Sequence, residues 1–197
     1  MPRNADETRN RILNAAARLF YTEGLRAVSV DAVAEAAGVT KKTLYYHYRS
    51  KDDLIAAYIA SRDSPTLDAF DDWYAASEGD VAERIGAVFR EFAAAAASPK
   101  WRGCGFMRAV AELANMPGHP AIAAGVAHKK RFEQWIAQQL EDSAIANPAA
   151  IAREIAILFE GAAATMLMHR DSAYVETAGA MAVDLIRRAE PDVSGTR

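Results

Sequence analysis

The chain has 197 residues, enough to bury a sizeable core as one large domain or as a small domain fused to a medium one. An apolar share of 51% with abundant Ala suits a globular helical protein, and a single Cys excludes an intramolecular disulfide framework. The net charge of −3 argues against a nucleic-acid binder until the chain is split: residues 1–51 hold nine Lys/Arg against five Asp/Glu, net +4, and the rest fourteen against twenty-one, net −7. A basic head on an acidic body is expected when only one end meets phosphate.

The polar start, M-P-R-N-A-D-E-T-R-N-R, has no signal-peptide pattern, and no apolar run is long enough to span a bilayer. The expectation is a cytoplasmic protein with no membrane partner. Residues 1–8 read as a flexible arm. A helix follows to about Thr22, with Ile12, Leu13, Ala16, Leu19 and Phe20 on one face, and Gly24 ends it.

From Ser29 to Lys51 the pattern is two short helices joined by a tight turn. Ser29 can cap the first, and Asp31 lies in its first turn, where the helix dipole favours an anion. Val30, Val33, Ala34 and Ala37 share a face, and Gly38 supplies the left-handed stop. Thr40 caps a second helix carrying Lys41, Lys42, Thr43, Tyr45, Tyr46 and His47 outward, with Leu44 and Tyr48 inward. This is the pattern of a helix-turn-helix whose second helix enters the DNA major groove. Two lysines in a helix's first turn oppose the dipole, which a DNA partner would explain; a solvated pair is the alternative.

Ser50-Lys-Asp-Asp53 starts a fourth helix, interrupted or kinked at Ser64-Pro65. The expected domains are therefore 1–50 and 51–197. Asp80 with Glu83 caps a helix closed by Ser98-Pro99. A short helix spans about Gly105 to Asn115. A longer one runs from Pro120 to about Asp142. Asn147-Pro148, an N-cap and first-turn Pro, opens a helix to about His169, and the last spans Ser172 to about Ala189 before a frayed tail. No strand pattern appears. The expected fold is all-α, about nine helices, with a three-helix head on a larger helical body.

The run G-V-T-K-K-T-L-Y-Y-H-Y-R-S-K-D-D-L (Gly38 to Leu54) resembles the signature of the TetR family of bacterial transcription regulators. R-I-L-N-A-A-A-R-L-F-Y-T-E-G-L (Arg11 to Leu25) resembles that family's first helix and following loop. The resemblance covers roughly the first quarter of the chain. It implies that Lys41, Lys42 and Tyr45 face bases, that Thr40, Tyr46 and Lys51 hold phosphates, and that His47 and Thr43 serve either role. Ser29 joins them at the DNA. A Lys at the helix start suits guanine O6 and N7. Many family members have a small residue where this chain has Lys42, a departure that adds affinity or specificity. Arg3, Arg9 and Arg11 either reach DNA or are free surface charges.

The same resemblance implies a homodimer on a palindromic double-stranded operator, formed through the two C-terminal helices. Ile155, Leu158, Phe159, Ala162, Ala163 and Met166 make one apolar stripe beside Gly161. Ala178, Met181, Ala182, Leu185 and Ile186 make another. They are either a four-helix interface or intramolecular core. The body is where the family builds a cavity for a small-molecule effector. Phe70, Trp73, Phe89, Phe92, Trp101, Cys104, Phe106, Met107, Trp135 and His169 are candidate lining, with core packing as the alternative. Glu112, Asn115 and Gln134 are polar candidates. Cys104, in W-R-G-C-G-F, is either a sensor or simply packed.

The four histidines lie far apart, and no phosphate loop or nucleophile motif is present, so neither catalysis nor a metal or cofactor is expected. The expected function is a ligand-responsive DNA-binding regulator, a repressor released from its operator by a small apolar effector. The alternative is a small-molecule binding protein of the same fold without specific DNA recognition.

Overall fold

The structure, a computed structural model, describes the backbone of residues 2–189 and the side chains of residues 5–189. These residues form ten α-helices and no strand. They are α1 (Pro2–Glu23), α2 (Val30–Ala36), α3 (Lys41–His47), α4 (Lys51–Ser61), α5 (Asp63–Ala75), α6 (Val81–Ala96), α7 (Gly105–Glu112), α8 (Pro120–Asp142), α9 (Pro148–His169) and α10 (Ala173–Ala189). The all-α expectation holds. The tenth helix arises because the chain breaks at Arg62, not at Pro65. Pro65 then sits in the first turn of α5, where its missing N–H has no intrahelical partner to lose.

The arm expected over residues 1–8 is a correction: α1 is helical from Pro2. Proline suits a first helical position because its φ is preset and its absent donor costs nothing there. The frayed tail expected from Pro191 onward lies outside the described residues, as does the side chain of Arg3.

The chain divides into two compact units, Met1–Ser64 with Gly105–His128, and Pro65–Cys104 with Lys129–Arg197. The first holds α1 to α4, α7 and the start of α8. Ile12, Ala16 and Phe20 of α1 are buried with Val33 and Ala34 of α2, Leu44 of α3, and Leu54, Ile55, Tyr58 and Ile59 of α4. The rings of Phe20 and Tyr58 lie 5.7 Å apart. Helices this short are marginal alone, so mutual burial holds α2 and α3 in place. This unit extends past the head of residues 1–50 to include α4 and α7.

The second unit holds α5, α6, the rest of α8, α9 and α10. Its core includes Phe70, Ile85, Phe89, Phe132, Ile136, Leu140, Ile155, Phe159, Met166, Val175, Ala182 and Ile186. α6 and α10 approach closely because each presents a glycine: a Cβ on Gly86 would lie 2.8 Å from Val183 Cγ2, and one on Gly179 would lie 2.8 Å from Phe89 Cβ. α6 opens with a full capping box between Asp80 and Glu83. Asn147 caps α9 differently from expectation: it is left-handed (φ 54°) and its side chain makes no cap bond.

Candidate nucleic-acid interface

Local chemistry builds the interface. Ala32 N donates to Ser29 Oγ at 3.1 Å, starting α2. α2 ends in a left-handed Gly38 (φ 63°), with Gly38 N bonded to Glu35 O and Val39 N to Ala34 O, both at 3.0 Å. Those two bonds satisfy carbonyls the helix end would orphan, and the turn aims the chain into α3. Thr43 N donates to Thr40 Oγ1 at 3.1 Å, and the two threonine hydroxyls lie 2.9 Å apart. Leu44 and Tyr48 are buried, anchoring the inner face of α3. Arg9 lies over the Tyr48 ring, 4.9 Å from its centroid, so it packs on the head rather than projecting freely. Burial raises the Tyr48 phenol, and the Arg9 charge opposes that.

The outer face of α3 is what remains. Tyr46 is 83% exposed and Tyr45 43%. Lys41 and Lys42 are exposed; Thr43 and His47 are half-buried. The Tyr46 and His47 rings meet edge-on at 5.2 Å. Lys41 Nζ donates to Asp31 Oδ2 at 2.9 Å, and this hydrogen bond and charge raise the lysine above its ordinary value. Asp31 is a partner that helix-dipole reasoning about α2 missed. Lys51 Nζ donates to Arg26 O at 3.0 Å. Burial lowers Lys51. Thr40 to Thr43 and Tyr45 to His47 thus lie on or at the start of α3, with Ser29 at the start of α2 and Lys51 at the start of α4.

The residues expected to line an effector cavity do not come together in this way. Phe70 and Phe89 are core, and Trp73, Phe92, Trp101 and Trp135 pack against that core half-buried. Phe159 touches Phe70, Phe89, Phe92 and Phe132 with ring centroids 4.6–5.3 Å apart. These rings fill space by contacting one another. Phe106 and Met107 belong to the other unit, where Phe106 stacks on buried His128 at 3.5 Å. His169 is exposed and stacks on Tyr174 at 4.8 Å. Asn115 and Gln134 are exposed, and Glu112 holds backbone. A concavity of about 590 Å³ lies instead along α6 and α10, bordered by Arg90, Ala93, Ala97, Ser172, Glu176 and Val183. Periodicity does not reveal it, because its floor is alanine and glycine.

Cys104 is half-buried and accepts from Lys129 Nζ at 3.3 Å. Burial pulls Lys129 down, but Cys104 and Glu160 together push it above its ordinary value. Among the described residues no cluster of three His, Cys, Asp or Glu could hold a metal, and no helix is long and apolar enough to cross a membrane.

The two apolar stripes read as either interface or core pack mostly within their own unit. Ile155, Phe159, Ala162 and Met166 are buried in the core of their own unit, and Leu158 and Leu185 pack against it. Only Met181 of the seven stands clear, 51% exposed. The outward face of α9 carries Ile157 at 65% and Met168 at 67% exposure, with exposed Gly161 between them.

Over most of its length the chain is similar to SCO4454, a TetR-family transcriptional regulator from Streptomyces coelicolor. The identity is 31%, the TM-score 0.80, and the match covers 94% of this chain and 97% of that one. The chain belongs to the TetR family. A profile of bacterial regulatory proteins of the tetR family matches residues 12–58. The transcriptional regulator SrpR of Pseudomonas putida is 39% identical over 61 residues, 31% of this chain and 29% of that regulator. AcrR of Shigella flexneri is 44% identical over 52 residues, 26% and 24% respectively. The matches thus span under a third of either relative's length. Relatives of this TetR-family chain are transcriptional regulators, not enzymes. Its helix-turn-helix lies inside the residues that the family profile matches.

Proposed function

We propose that this TetR-family chain is a cytoplasmic repressor that binds a palindromic operator as a homodimer and leaves it when a small apolar effector binds. The observation that carries this is the exposed face of α3. Two lysines and two tyrosines stand outward on a seven-residue helix whose inner face is fully anchored. Exposed aromatics are costly to leave in water without a partner, and DNA supplies one.

Residues 1–50, with Lys51 just beyond, are the DNA-contacting part, and the rest of 51–197 is the effector-binding and dimerising part. Lys41, Lys42 and Tyr45 read bases; Thr40, Tyr46 and Lys51 hold phosphate; Ser29, Thr43 and His47 support either. Lys41 must leave Asp31 to reach a base, so Asp31 parks it between encounters. Ile157, Gly161 and Met168 of α9, with Met181 of α10, offer an apolar face to a second copy. The effector enters the second unit, where the half-buried Trp73, Phe92, Trp101 and Trp135 border the core. It changes the spacing of two α3 helices that must reach grooves about one helical turn, roughly 34–36 Å, apart. Operator DNA weakens effector binding by the same factor.

Binding to DNA from the protein's own upstream region, against scrambled DNA across a salt series, tests this. Tight, selective binding with a steep salt slope is expected. Equal, weak binding to both overturns an operator there and favours a binding protein without DNA recognition.

A further inference from the structure

α7 is tied to the head through the loop between α1 and α2. Glu112, the last residue of α7, spreads its carboxylate over two consecutive backbone N–H groups. Leu25 N donates to Oε2 at 3.0 Å, and Arg26 N to Oε1 at 2.6 Å. Gly24 makes this possible. Its φ of +97° turns the chain, and a Cβ there would already lie 3.4 Å from Glu112 Oε1. One turn earlier on α7, Arg108 donates to Tyr21 O at 2.9 Å and lies over the Tyr21 ring, 5.6 Å from its centroid. Lys51 of α4 donates to Arg26 O, so the loop's donors and acceptors are both held by charged side chains. Such charge-assisted bonds are stronger than neutral ones. Packing α7 does not require them, because Phe106, Ala109 and Leu113 already bury one face of this segment. The clamped loop leads directly to Ser29, the cap of α2.

We propose that Glu112 is a positioning residue for operator binding. Its carboxylate fixes the α1–α2 loop and thereby the pose in which α2 presents α3 to the groove. The inference rests on the operator reading above. Glu112 itself touches no base or phosphate in this scheme. Removing a negative charge from a DNA-binding unit should, by charge alone, strengthen binding to any DNA. A loss of operator affinity therefore points to positioning.

The test compares the full-length parent with Glu112→Gln, a variant of nearly equal size that can no longer accept from both amides. Amide hydrogen exchange at Leu25 and Arg26 is measured together with affinity for operator and scrambled DNA. Faster exchange at those two amides is expected, with protection in α1 and α4 retained. Operator affinity should fall about 10- to 100-fold, with the salt slope unchanged. Unchanged exchange, or a freed loop with parental operator affinity, overturns the proposal. If the parent itself selects no DNA, the operator reading fails separately. The exchange rates then decide alone whether Glu112 fixes the loop.

Discussion

Tyr46 on α3 stands in solvent with its ring edge-on to His47, whereas Phe159 on α9 is enclosed by Phe70, Phe89, Phe92 and Phe132. Both lie on helices and both are aromatic, yet packing accounts for one and leaves the other unexplained. The second unit uses its rings to build itself. The head also buries rings in its own core, Phe20, Tyr48 and Tyr58, but leaves Tyr45 and Tyr46 of α3 outside. Neighbouring exposed rings, Tyr45 and Tyr46 beside two lysines, are the stronger pointer to a partner.

That contrast can be broken by substitution. Phe159→Ala should cost about 3–5 kcal/mol of stability in denaturant unfolding, since four rings lose a neighbour. If Tyr46→Ala costs as much, the contrast is false. Lys42→Ala should leave stability nearly unchanged but shift discrimination at one operator position by about 1–3 kcal/mol, read by binding to single-base operator variants. Thr40→Ala should lose roughly 1 kcal/mol of stability through the cap bond and weaken binding to all sequences alike. Tyr46→Phe is the smallest change: stability within about 0.5 kcal/mol of the parent, and a modest, even loss of DNA affinity. Parental binding by all three α3 variants would remove these side chains from the interface.

The same contrast explains what could be read from the sequence. Caps and stops are local, so Ser29, Gly38, Thr40, Ser50 and the Asp80–Glu83 box were visible from residues a few positions apart. Family likeness reinforced that region only. The body was harder, because periodicity shows that a face is buried without showing what buries it. α9 is apolar on almost every side, so its stripe through Ile155, Phe159, Ala162 and Met166 could not be told from the outward one through Ile157, Gly161 and Met168. Cys104 gave no hint of Lys129, nor Lys41 of Asp31. Glu112 was invisible as a clamp because its partners lie 87 and 86 residues away.

The dimer face can be examined through Ile157→Glu, which adds a charge at an exposed site. Sedimentation should show monomer for the variant and dimer for the parent, with helical content unchanged. Dimers in both would place the interface elsewhere.

The most direct measurement is selection of bound sequences from a random pool of double-stranded DNA by the purified parent protein. A palindrome is predicted, with half-sites about one helical turn apart and a guanine in each. An unselected pool, or a single asymmetric site, would contradict the claim that a pair of α3 helices reads this DNA.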